Sequence, residues 1–184
     1  MKKFFIVTLL LPFALFFLNA NAADYVGAKK CKACHIKQFK SWEKTTMSTS
    51  FENLKAGVKT EEKKKAGLDT NKDYSTDNGC LKCHTTGYGK PGSYPENQKF
   101  VGVQCEGCHG PGSNYLEIMK KNKEFKLADA KKAGLIIPSE DEKGCIVCHG
   151  GDSPFTEKVD VKYKFNFKEK LKNTHEKFPL KYQH

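Results

Sequence analysis

After residue 22 this chain has no apolar run long enough to cross a bilayer, which excludes anchoring by any later helix. None of its eight cysteines falls outside four short clusters, so none is left over for a structural disulfide. Aliphatic material is also limited: 38% of residues are hydrophobic and 29% charged, a thin supply for an ordinary core. A formal net charge of +11 invites a nucleic-acid reading, yet no motif of a nucleic-acid-binding fold is present.

The N-terminus is read first. Lys2 and Lys3 precede a nearly unbroken apolar stretch from Phe4 to Leu18, and Ala20-Asn21-Ala22 supplies the small residues of a cleavage site. The stretch is too short to span a bilayer comfortably. Residues 1–22 are therefore expected to be a signal peptide. Residues 23–184 are expected to be a single domain of about 162 residues, periplasmic and without a membrane anchor.

In an oxidising compartment eight cysteines ordinarily mean disulfides. Here the spacing overrules that expectation. The cysteines fall as Cys31-x-x-Cys34-His35, Cys80-x-x-Cys83-His84, Cys105-x-x-Cys108-His109 and Cys145-x-x-Cys148-His149. Zinc sites and redox dithiols also use paired cysteines, but neither fixes a histidine directly after each second one. C-x-x-C-H is the attachment motif of c-type haem, and four copies that use every cysteine predict four covalently bound haem c groups. At about 40 residues per haem, the haems must form much of the core. Once Lys2 and Lys3 are removed and the haem propionates added, the holo-protein comes close to neutral. Its lysines then pair with propionates or face an acidic partner.

The motifs are the one internal repeat, and their unequal spacing argues against a solenoid. Residues 51–79 read as a charged, mostly helical stretch ending in turn residues, with lysines and glutamates on a solvated face. Residues 85–102, rich in Gly, Pro, Ser and Asn, read as a loop. Gly110-Pro111-Gly112 breaks the chain after His109. Ser113 or Asn114 can then cap a helix over 115–123 that carries Tyr115 and Met119 on one face. Another helix is predicted over 126–134. Alternation of Val159, Val161, Tyr163 and Phe165 predicts a half-buried strand. Phe167, Leu171, His175 and Phe178 then share one face of a predicted helix. After His35, a first helix places Ile36, Phe39 and Trp42 ahead of Met47. The fold class expected is mainly α with little β structure, a multihaem cytochrome c whose four haems form the core.

Each attachment histidine, His35, His84, His109 and His149, supplies one axial ligand. What fills the sixth position decides whether a haem only passes electrons or also binds a small molecule. Beyond residue 22 the chain offers two further histidines, His175 and His184, and two methionines, Met47 and Met119. His175 sits on an apolar face where a haem could lie. His184 is the last residue, where fraying is the default, and a methionine on an apolar face is ordinarily packing.

The segments "KKCKACH" with "SWEKT", "LDTNKDYSTDNGCLKCHTTGYG", "GVQCEGCHGPGSNY" and "PFTEKVDVKYKFNF" resemble the tetrahaem cytochrome c-554 family of ammonia-oxidising bacteria. The likeness runs through nearly all of the chain after residue 22. It implies a mainly helical fold with haems stacked in close pairs. It also implies a carrier that takes electrons from hydroxylamine oxidoreductase to a membrane-bound, quinone-reducing cytochrome. Three haems would have two axial ligands each, and the second would lack its sixth. By position His175 matches one distal histidine, while Met47 and Met119 stand where the family has the other two. On that resemblance Met119 serves the first haem opposite His35, and Met47 and His175 serve the third and fourth in an order left open. Ser153, Pro154 and Phe155 would line the open side of the second haem, held by Cys80, Cys83 and His84. The loop before the fourth motif is shorter than in the family, the tail after His175 is truncated, and the two methionines put the family's potentials in question.

These residues support three readings. The first is a periplasmic electron carrier whose partners are other redox proteins, a multihaem oxidoreductase and a membrane cytochrome. Methionine ligation would raise two of its four haems above the others. The second is an enzyme that binds and reduces nitric oxide at the open second haem, although none of the three pocket residues is a proton donor of the usual kind. The third is a subunit of an extracellular haem filament, with His184 reaching a neighbouring chain.

Overall fold

The structure, a computed structural model, describes residues 22–180. The expected leader, apart from Ala22, and the candidate ligand His184 lie outside the described residues. Helices α1 (Ala28–Lys32), α2 (Ile36–Trp42), α3 (Thr60–Lys65), α4 (Asn78–His84), α5 (Cys105–His109), α6 (Ser113–Lys121), α7 (Leu127–Lys132), α8 (Lys143–His149) and α9 (Phe167–Lys172) follow in chain order. Short 3-10 turns intervene at Ser50–Leu54, Gln98–Phe100 and Val161–Tyr163. None of these helices exceeds nine residues, and isolated helices of such length are marginal in water. Caps and tertiary contacts must therefore hold them.

Several of those holds are visible. The Asp77 carboxylate accepts the Gly79 N–H at 2.9 Å and starts α4. The Asn166 side chain accepts the Glu169 N–H at 3.2 Å and starts α9. Gly110 ends α5 with φ 78°, and a Cβ there would sit 2.8 Å from the Gly134 carbonyl oxygen. The chain turns at that point because only glycine fits both demands.

Among the described residues β structure is limited to one antiparallel bridge between Thr85 and Val101. The bridge closes the irregular loop predicted from composition, with the Thr86 N–H donating to the Phe100 carbonyl at 2.8 Å. No described helix is long and apolar enough to cross a membrane.

Two small apolar clusters support this frame. Leu54, Tyr74, Leu81, Tyr94 and Phe100 pack behind α4. Tyr115, Phe125 and Ala130 join α6 to α7, with Met119 and Leu135 at their edge. The polypeptide's own core is thus thin, as composition implied.

Two expectations are corrected. The alternating segment 159–165 is no strand but a turn around Val161–Tyr163, in which the Asp160 carboxylate accepts the Lys162 N–H at 2.9 Å. A strand must pair its backbone polar groups, and no ladder partner reaches this segment among the described residues; Val161 is 77% exposed. The final helix stops at Lys172, where the Thr174 hydroxyl folds back onto the Leu171 carbonyl at 2.9 Å. His175 therefore leaves the apolar face of that helix and lies on the tail. The Glu176 N–H donates to Ser41 Oγ at 2.8 Å and ties that tail to α2.

Candidate functional site

Each C-x-x-C-H motif puts its cysteines at i and i+3 and its histidine at i+4, neighbours on one helical face. The second, third and fourth motifs lie wholly within α4, α5 and α8, and the first runs from α1 into the start of α2. No two of the eight cysteines are joined in a disulfide.

The motifs are not arranged in chain order. Helix α1 packs on α5, α5 on α8, and α8 on α4. The thiols repeat that order: Cys31 hydrogen-bonds Cys105, Cys108 lies beside Cys145, and Cys148 hydrogen-bonds Cys83. In the polypeptide before haem attachment, the hydrogen bond within each pair raises Cys31 and lowers Cys105, and likewise raises Cys148 and lowers Cys83; thioether formation removes these protons. The spatial sequence is first, third, fourth, second.

The histidines are oriented for ligation. His84 Nδ1 lies 2.6 Å from the Ser50 carbonyl oxygen, and His109 Nδ1 lies 3.0 Å from that of Ile136. A carbonyl can only accept, so each Nδ1–H donates and each Nε2 keeps its lone pair, the arrangement seen at metal-bound imidazoles. Burial holds all four motif histidines below the ordinary imidazole range, with His175 adding to the effect at His35 and Lys170 at His149. Neutral imidazole is the form that binds a metal. Paired thiols and neutral, aimed imidazoles fit covalent haem with histidine as one axial ligand.

The structure also brings His175 to a definite place. Its ring centroid lies 6.4 Å from that of His109, with planes 27° apart. Its own Nδ1 is taken by the Glu176 carbonyl at 2.9 Å, leaving Nε2 free. At that separation His109 and His175 could together hold one haem iron, which would supply a one-electron couple when bound. His175 is thus brought to the third motif.

Met119 lies on α6, partly buried beside the Tyr115 cluster. Met47 follows α2 in a bend whose backbone is held to the approach of the third motif. Its carbonyl accepts the Val103 N–H at 3.0 Å, and Trp42 Nε1 donates to the Val103 carbonyl at 2.9 Å.

Phe155 lines a cavity of about 430 Å³ with His149, Tyr163 and Phe165, and the His149 and Phe165 rings stack at 5.2 Å. Ser153 and Pro154 lie outside that lining; Ser153 Oγ accepts the Phe155 N–H at 3.2 Å and shapes the turn. The neighbouring Asp152 reaches Lys82 on α4 at 3.1 Å. The loop therefore bridges the second and fourth motifs, with Phe155 set against the fourth.

Sequence reading missed the groups that orient these side chains. The carbonyls of Ser50 and Ile136 carry no side-chain signal at all. Glu106 does carry one, a carboxylate set between two attachment cysteines and nearly fully buried.

A sequence profile described as "Cytochrome c554 and c-prime" matches residues 30–110. Cytochrome c-554 of Nitrosomonas europaea is 37% identical over an alignment covering 97% of this chain and 88% of that protein. The chain belongs to the cytochrome c-554 family. The solved reduced state of cytochrome c554 from Nitrosomonas europaea superposes with a TM-score of 0.75 at 35% identity, covering 87% of this chain and 88% of that one. This cytochrome c-554 homologue is therefore a multihaem c-type cytochrome acting in electron transfer, mainly helical, with four covalently bound haem c groups and redox proteins as partners.

Proposed function

We propose that this cytochrome accepts electrons in the periplasm from a multihaem enzyme of the hydroxylamine oxidoreductase type. It delivers them to a membrane-bound, quinone-linked cytochrome. The observation that carries the reading is the spatial order of the motifs, a single file from α1 through α5 and α8 to α4. Each haem, when bound, supplies a one-electron iron couple. The chain's residues do the positioning, and a single file sets the order in which neighbouring haems would exchange electrons.

The ligand reading follows the same file. His35 pairs with Met119 at the first site, and His109 with His175 at the third, the pairing that the 6.4 Å ring separation supports. Met47 is then left for His149 at the fourth. His84 serves the second site, whose sixth position stays open. At the α1 end Lys29, Lys30 and Lys32 are all exposed around the first motif. That cluster favours docking by an acidic partner surface, with fast, salt-sensitive association.

Stopped-flow mixing of the oxidised holo-protein with a reduced multihaem oxidoreductase tests the proposal. The expected result is reduction of all four haems at a rate that falls steeply with ionic strength. Failure to reduce them at any salt concentration would overturn the assignment of that donor.

A further inference from the structure

The start of α1 and the start of α5 are joined through side chains. Three successive backbone N–H groups at the entrance to α1 are taken by residues of the third motif and its approach. Val26 donates to Glu106 Oε1 at 2.8 Å, Gly27 to Glu106 Oε2 at 2.7 Å, and Ala28 to Gln104 Oε1 at 2.9 Å. Glu106 Oε1 also accepts the Gly112 N–H at 2.8 Å, one residue before α6 begins. One carboxylate therefore holds together the helix of the first motif, the helix of the third, and the root of the helix that carries Met119.

The site is built into the interior. Glu106 is 2% exposed, and no cation pairs with it among the described residues. Both oxygens accept and neither donates, so the side chain is used as a carboxylate. Gly112 is glycine for the same reason, since a Cβ there would fall 2.9 Å from Glu106 Oε1 and 3.2 Å from the Tyr115 hydroxyl. The charge reaches its surroundings. Burial first and Glu106 second push up the Tyr25 hydroxyl, and at Tyr115, where burial again leads, Glu106 adds to the rise.

We propose that Glu106 is a positioning residue for the first and third haems, fixing the spacing of their attachment helices and lowering both potentials by its unpaired negative charge. An anion in a low-dielectric surrounding favours the ferric over the ferrous state, and salt screens it little. The alternative, a purely structural clamp, would tie the helices without distinguishing these two potentials from the others. The inference rests on the adjacency of the first and third motifs, and not on the identity of any partner.

The test is a spectroelectrochemical titration of the full-length holo-protein carrying Glu106→Gln, after pyridine haemochrome analysis shows four haems. Two of the four potentials are expected to rise while the other two stay in place, and Glu106→Asp, which keeps the charge, is expected to hold them near wild type. If Glu106→Gln fails to carry four haems, Tyr25→Lys sets a cation at the half-buried position whose hydroxyl senses the Glu106 charge, and is expected to move the same two potentials up. Unmoved potentials in either four-haem variant, or a shift shared equally by all four, would overturn the proposal. The ligand assignment is read separately on the same samples by counting His/Met haems, so its failure is distinguishable from this one.

Discussion

The His175 ring faces the His109 ring at a centroid separation of 6.4 Å, each with Nδ1 engaged by a carbonyl and Nε2 free. One is fixed by the end of α5, the other by a tail held through the Ser41 hydroxyl. Removing His175 should strip one ligand from one haem and leave the other three alone. His175→Ala is expected to raise the number of high-spin haems in the electron paramagnetic resonance spectrum from one to two. Ser41→Ala should give a partial version of that change, since a net hydrogen bond of about 1 kcal/mol holds the tail there. An unchanged high-spin count in His175→Ala would separate His175 from iron.

Met119 and Met47 offer the opposite manipulation. A thioether is a poorer donor to ferric iron than imidazole, so His/Met haems lie at higher potential. Met119→His and Met47→His are each expected to lower one potential by an appreciable fraction of the roughly 0.8 V over which axial ligands tune haem. Each should also remove half of the far-red ferric band that marks methionine ligation. Retention of the full band in both variants would make the two methionines packing residues.

The segment that carries Met47 makes one very close backbone approach. Gly102 has φ 77°, and a Cβ there would stand 2.6 Å from the Ser48 carbonyl oxygen and 3.4 Å from that of Met47. Gly102→Ala is expected to cost about 1–3 kcal/mol in chemical unfolding, the usual range for a strained backbone position. Because the displaced residues include Met47, the far-red band should weaken in the same variant. Normal stability in Gly102→Ala would mean that the two segments can part without cost.

The attachment sites were legible because they are local: cysteine, cysteine and histidine share one helical turn, and the motif needs no distant residue. Helices α6 and α7 were legible too, through the break at Gly110 and the stop at Gly134, but Ser113 and Asn114 do not cap α6: the helix begins at Ser113, behind Gly112, with no side-chain capping bond. The segment 159–165 was misread because alternation reports only a preference for pleated backbone, and among the described residues no neighbouring strand satisfies it. His175 was placed on a helical face by periodicity, yet the helix ends at Lys172, and its partner His109 follows from the tail's tie to Ser41. No local pattern encodes that contact. Nor does one encode the order first, third, fourth, second, which depends on how α5 sits between α1 and α8. Glu106 was visible as a residue but not as a clamp, because its partners are backbone N–H groups far away in the chain.

The misread segment has a surface role that pH can expose. Lys162 bridges Glu62 on α3 at 2.9 Å and Asp160 at 3.1 Å. The hydrogen bond from Lys162 is the main reason that Glu62 lies below the usual carboxylate range, while at Asp160 the Lys162 backbone N–H contributes most. The same partners raise Lys162. A depressed carboxylate adds stability above its unfolded value, lost as pH falls through the folded one; a raised lysine adds stability below its unfolded value, lost as pH rises. The network is therefore complete between roughly pH 5 and pH 10. Lys162 is half exposed and the two carboxylates are only partly covered, so the effect is small. Lys162→Ala is expected to lower Tm at pH 7, with the gap to wild type narrower at about pH 3 as Glu62 and Asp160 begin to take up protons. A gap of the same size at both pH values would assign the loss to the packing of the lysine stem over the Tyr163 ring, 5.2 Å from its ammonium, and not to the ion pairs.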